Sequence, residues 1–110
     1  MSGAWKVRQT QSARQDRTAI IRWTIQHFGV NQAETYAETI ALALAALCNG
    51  PDSVGIKKRD DLGNGIHTLH VARNGRKGRH FIVFRIGDPQ TIEVLRLLHD
   101  SMDFAAHLAE

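Results

Sequence analysis

Three strand-like runs follow one another with almost nothing between them: GIHTLHVAR over 65–73, RHFIVFRI over 79–86 and TIEVLRLLH over 91–99. Each is rich in β-branched or aromatic residues, which fit a pleated, half-buried surface. The links NGRKG (74–78) and GDPQ (87–90) are built from residues that favour tight turns. A parallel return needs a crossover of a dozen or more residues, so these links allow only antiparallel neighbours. The chain must therefore contain a meander over about 65–99. Its third run is apolar almost throughout, as befits a strand covered on both faces.

A sheet of this kind needs a cover, and the first half of the chain supplies one. Ser12 is placed to cap a helix running to about Phe28, with Ile20, Trp23 and His27 on one stripe and Ile21, Ile25 and Phe28 beside it. Gly29 ends it. Asn31 is placed to cap a second helix, in which Ala33, Tyr36, Ala37, Ile40, Leu44, Leu47 and Cys48 keep the spacing of one face until NGP (49–51) stops it. So short a link makes the two helices an antiparallel hairpin over about 12–48, and its stripes read as core. AWKVRQT (4–10) sets Trp5, Val7 and Gln9 against Lys6, Arg8 and Thr10, the alternation of a strand. After a loop at 52–62 and the meander, Asp100 is expected to cap a last short helix over about 100–108, with Asp103 in its first turn. The expectation is one α+β domain over 1–110. Its N-terminal strand and α-hairpin pack on a twisted, mainly antiparallel sheet in the order β-α-α-β-β-β-α.

Composition narrows the function classes. The longest apolar run, Ile40–Cys48, is far shorter than the roughly 20 residues needed to span a bilayer. With no apolar signal region at the start, a cytoplasmic protein without membrane association is expected. The single cysteine, Cys48, excludes an intramolecular disulfide and a cysteine-based zinc site. His67 and His70 would chelate on a helix, but a spacing of three on a strand sends them to opposite faces, so no metal is expected there. No cofactor motif is present either.

The net charge of +3 is unevenly spread: +4 over residues 1–30, −3 over 31–56, +6 over 57–87 and −4 over the remainder. A basic middle segment favours an acidic partner. If the 65–86 hairpin turns at Arg76, Arg73 faces Arg79 and His67 faces Arg85, on one side with Leu69, Val71, Phe81 and Val83. Ile66, Thr68, Ile82, Phe84 and Ile86 then lie under the helices. A slip of one residue would reverse these faces. In this register the sheet offers an apolar strip fringed by cations, fit for an acidic amphipathic peptide at least as well as for RNA.

Several stretches in this order resemble the RelE/ParE family of bacterial type II toxins. They are SARQD (12–16), YAETI (36–40), GP (50–51), LGNGIHTLHV (62–71), RHFIVFRI (79–86) and, most specifically, VLRLLHDSMDFAAHL (94–108). The family's last strand ending Arg-x-x-His before a Met-Asp helix matches Arg96, His99, Met102 and Asp103. The resemblance implies a helical hairpin on a twisted sheet and a cognate acidic antitoxin that wraps and suppresses the toxin. It also implies one of two targets: ParE-like toxins poison DNA gyrase, and RelE-like toxins cleave mRNA on the ribosome. Cleavage needs a base, a proton donor and cations on the phosphate. Here the mid-sheet position of the ribonuclease branch holds Phe81, Asp100 follows His99, and the only tyrosine, Tyr36, sits on an apolar helix stripe. The ending looks closer to the ParE branch.

The candidate contacts with target or antitoxin are Arg73, Arg79, Arg85, Arg96, His99, Met102, Asp103, Phe104 and His107. On the ParE reading none is catalytic; on the ribonuclease reading His80, Arg85 and His99 form the site. A third reading is an inactive relic that still binds antitoxin. Arg96 interrupts an apolar strand and must find a carboxylate or stay at a groove, with Asp100 and Asp103 nearby to pair with it or with His99. Such a pairing would clasp the last strand to the terminal helix.

Overall fold

A five-stranded sheet organises the computed structural model, which describes residues 4–108. Residues 1–3 and 109–110 of the expected 1–110 domain lie outside the described residues. The elements run β1 (Lys6–Gln9), α1 (Gln11–Phe28), α2 (Val30–Ala46), a 3-10 turn (Leu47–Asn49) and β2 (Lys57–Lys58). After these come β3 (Ile66–His70), β4 (His80–Gly87), β5 (Thr91–His99) and α3 (Phe104–Leu108). The strand order is β1-β5-β4-β3-β2; β1 is parallel to β5 and every other pairing is antiparallel. The expected meander is present. β2, two exposed lysines within the expected 52–62 loop, extends it by pairing with Thr68 and His67.

The helix ends differ from expectation by a residue or two. Thr10, not Ser12, caps α1: its Oγ1 accepts from the Ala13 N–H at 3.1 Å and donates to the Leu95 carbonyl at 2.9 Å, so one hydroxyl starts the helix and ties it to β5. Gly29, at φ 88°, takes the place expected for Asn31. Its N–H donates to the Ile25 carbonyl and its own carbonyl accepts from the Ala33 N–H, ending α1 and opening α2 in one residue. α3 starts at Phe104 rather than at 100. The Asp103 carboxylate, not that of Asp100, accepts from the Ala106 N–H at 3.3 Å.

The hairpin between β3 and β4 is in the other register. Ile66 faces Arg85, His67 faces Phe84 and Leu69 faces Ile82, one residue away from pairing His67 with Arg85. The cause lies in the turn. Asn74 (φ 53°) and Gly75 (φ 80°) make a tight reversal closed by the Arg76 N–H on the Arg73 carbonyl, which centres the hairpin ahead of Arg76. The faces of β4 are as expected, whereas those of β3 are exchanged, bringing the fully buried Leu69 and Val71 under the helices. His67 stacks on Phe84 and His70 meets Phe81 edge-on, so the two histidines do lie on opposite faces.

β5 is covered on both sides, and a bulge sets its faces. Val83 pairs with Arg96 and Phe84 with Val94, leaving Leu95 as the extra residue. Val94 and Leu97 therefore both join the helix-side core with Ile40, Leu47, Ile82 and Phe84, while Leu95 and Leu98 face the other side with Ile66, Val83 and Phe104. Not all of the expected helix stripe is core. Trp23, about 100° around the helix from Thr24, is 53% exposed and stacks on His27 instead of on the sheet. Ile25, Phe28 and Cys48 are exposed as well.

Candidate functional site

The end of β3, the start of β4 and the end of β5 bring His70, His80 and His99 to one end of the sheet. His80 and His99 are cross-strand partners whose rings meet at right angles, 5.2 Å apart. Tyr36 reaches down from α2; its hydroxyl is hydrogen-bonded to His80 Nδ1 at 2.6 Å, and its oxygen accepts the Arg79 backbone N–H at 3.1 Å. Gly78 makes this approach possible, because a Cβ there would lie 2.6 Å from Val71 and 3.0 Å from the Tyr36 ring. Arg76 fastens the same turn to α2 through the Thr39 hydroxyl (2.8 Å), the Thr35 carbonyl (3.1 Å) and Glu38 (2.9 Å).

Asp100 is the electrostatic centre of this end. Arg79 forks onto both its oxygens at 2.9 and 3.2 Å, His99 Nδ1 lies 3.4 Å away and His70 Nε2 3.9 Å away. The Arg79 guanidinium holds the Asp100 carboxyl below the usual carboxylate range, and Asp100 raises Arg79 in return. Burial, reinforced by the neighbouring His99, pushes His80 down to about 4. Burial raises the Tyr36 phenol. At neutral pH the pair is thus an uncharged imidazole hydrogen-bonded to an un-ionised phenol. His99 Nδ1 is turned toward Ser101, 2.7 Å from its hydroxyl and accepting its N–H at 3.1 Å.

The residues expected at the site divide into separate places. Arg79, His80 and His99 come together. Arg73 lies in the turn after β3 and donates to the Val54 carbonyl, so it does not share a fringe with the other two arginines. Arg85 is five residues along β4 from His80, about 17 Å, and is bound to Glu93 at 2.6 Å. It does not join His80 and His99. Arg96 finds neither Asp100 nor Asp103: it grips Asp16 of α1 at 2.7 and 3.0 Å and donates to the His107 carbonyl at 3.2 Å. The clasp is real, but it also spans 80 residues of sequence.

On the side away from the helices, Phe104 packs on Phe81 beside the exposed Met102, and Arg59 lies over the Phe104 ring. This shallow groove is not the cationic one expected. Asp61, Asp100 and Asp103 line it, and Arg59 is forked onto Asp61. Among the described residues no group of three or more His, Cys, Asp or Glu is placed to hold a metal ion, and no helix is long and apolar enough to cross a membrane.

Tyr36, His70, Ser101 and Asp16 were not among the expected site residues. Tyr36 carried a signal: a tyrosine in an otherwise apolar stripe needs a partner for its hydroxyl. Asp16, one turn into α1, carried none.

Residues 7–104 match the family described as the ParE toxin of type II toxin–antitoxin systems, parDE. Toxin ParE1 of Caulobacter vibrioides is 29% identical over 102 residues, covering 92% of this chain and 95% of that protein. Among solved structures, the chromosomal ParDE toxin–antitoxin system of P. aeruginosa superposes with a TM-score of 0.72 at 20% identity, covering 89% of this chain and 98% of that one. A chain of the RelBE2 toxin–antitoxin complex of Mycobacterium tuberculosis gives 0.59 at 23% identity, covering 90% and 94%. The shared architecture is the hairpin-on-sheet fold built above, and by its match over nearly its whole length this chain belongs to the ParE toxin family of type II toxin–antitoxin systems.

Proposed function

We propose that this toxin acts by binding: it stalls DNA gyrase in the cytoplasm without bond chemistry of its own, and a cognate acidic antitoxin neutralises it. Membership of the ParE family and the likeness to chains from toxin–antitoxin complexes support the antitoxin. One observation carries the choice of binding over cleavage. Arg85, the cation of the ribonuclease reading, is paired with Glu93, and Arg79, the arginine beside His80 and His99, is paired with Asp100. Asp100, 3.4 Å from His99 Nδ1, sets a negative charge where a phosphodiester would have to lie. The deciding experiment adds purified protein to a gyrase supercoiling reaction and, in parallel, to a translation extract with labelled mRNA. Supercoiling falls and the mRNA stays intact on this reading; cleaved mRNA with normal supercoiling overturns it.

The ribonuclease reading keeps one observation in its favour. A phenol held 2.6 Å from a neutral imidazole, with a second imidazole beside it, is an arrangement that can exchange protons. Inertness in both assays would leave the relic that only binds antitoxin.

A further inference from the structure

The arginines of this chain divide by partner. Arg59, Arg76, Arg79, Arg85 and Arg96 hold Asp61, Glu38, Asp100, Glu93 and Asp16 respectively. Arg8 lies 3.9 Å from Glu93, and Arg73 is on a carbonyl. The guanidinium groups of Arg14, Arg17 and Arg22 make no hydrogen bond or ion pair among the described residues, and all three belong to α1. The acidic side chain of that helix, Asp16, is turned inward to Arg96 and the Leu97 N–H. Free guanidinium charge is therefore concentrated on one helix.

Its placement is specific. Gln11, Arg14, Gln15, Thr18 and Arg22 are exposed and line one shallow depression with Ala19. This face presents guanidinium, amide and hydroxyl groups, with no carboxylate to repel an anion. It also lacks the aromatic and large apolar anchors that dominate protein–protein contacts; the exposed Trp23 and Phe28 gather at the end of the helix instead. Arginine, glutamine and threonine side chains without apolar anchors are the groups that contact sugar and phosphate. From Arg14 to Arg22 the rise is about 12 Å, close to the roughly 12 Å width of the B-form major groove. The A-form major groove of RNA is too narrow for this fit.

We propose that the outward face of α1 grips the backbone of duplex DNA, with Arg14 and Arg22 on phosphates across the major groove, Gln15 and Thr18 bonding between them and Gln11 just beyond Arg14. The proposal does not depend on the gyrase reading, because DNA alone is the probe. Binding of the full chain to a labelled duplex of about 20 base pairs, followed by fluorescence anisotropy between 50 and 200 mM salt, tests it. Arg14→Gln/Arg22→Gln should weaken binding at least about tenfold at low salt and reduce the slope of log K against log salt by about 1.8, the share of two phosphates. Lys57→Gln/Lys77→Gln removes the same charge elsewhere and should change affinity by less than about threefold; Arg14→Lys/Arg22→Lys should retain binding and reports on the fold. Equal losses in the two glutamine variants, no binding by the unaltered protein at 50 mM salt, or tighter binding of duplex RNA would each overturn the proposal. So would preferential, Arg14- and Arg22-dependent binding of poly-glutamate, which would assign the face to an acidic protein segment.

Discussion

On the helix side of the sheet, Leu69, Val71, Ile82, Phe84, Ile92 and Val94 lie fully covered by two long helices. On the other side, Ile66, Val83 and Leu98 are covered chiefly by Phe104 and the five residues of α3, with Leu62, Phe81, Leu95 and Leu108 half-buried around them. The first face is a closed core that sets the stability of the domain. The second is a small cluster under a single turn of helix, and local opening begins where few apolar contacts hold an element down. The His80–His99 end lies where the two faces meet.

Unequal mutational costs should follow. Phe84→Ala, at a fully buried site, should cost about 4 kcal/mol in denaturant unfolding. Asp16→Ala should cost about 3 kcal/mol, because it takes the carboxylate from the Arg96 guanidinium and from the Leu97 N–H in a largely buried place. It should also loosen α3, since Arg96 holds the His107 carbonyl. Phe104→Ala should cost about 3 kcal/mol, the low end for a buried phenylalanine, and abolish amide-exchange protection over 104–108 while sparing β3–β5. If Phe104→Ala costs as much as Phe84→Ala, the two faces form one cooperative core and the comparison fails.

The smallest effect is a pH dependence. His80 titrates near 4 when folded and near the ordinary 6.5 when unfolded, so below pH 6.5 the unfolded chain binds a proton that the folded chain refuses. This group therefore destabilises the protein as pH falls from about 6.5 to about 4, and adds no further slope below that. The loss amounts to about 1–2 kcal/mol once solvent screening at this partly exposed site is allowed for. His80→Gln should flatten the stability curve across that window; an unchanged curve would mean that His80 is as well solvated as a free histidine.

What could be read from the chain depended on the range of the interaction. The meander, the hairpin and the two-sided cover of β5 rest on periodicity and turn length, which are local, and β5 spans 91–99 as read. The register of β3 against β4 hinged on the conformation of Asn74 and Gly75, where one residue exchanges a strand's faces. β2 has no hydrophobic pattern, since its two lysines pair through backbone alone. The partners of Arg96 and His80 come from helices 80 and 44 residues away: nothing local marks Asp16, and a tyrosine in an apolar stripe shows that Tyr36 needs a partner but not which one. The ending VLRLLHDSMDF pointed to the family because it joins strand, turn and helix in one segment. The pairing of its arginine with Asp16 emerges only when α1 is laid beside β5.

On the binding reading proposed above, the Tyr36–His80 pair supports the sheet end without acting on substrate. Tyr36→Phe removes only the phenol oxygen, and its inhibition of gyrase supercoiling, compared with that of the unaltered protein at equal concentration, tests the claim directly. Inhibition within about twofold of the unaltered protein, and intact mRNA in a translation extract with either form, are the expected results. Cleavage of mRNA by the unaltered protein, abolished in Tyr36→Phe while the variant remains folded, would contradict it.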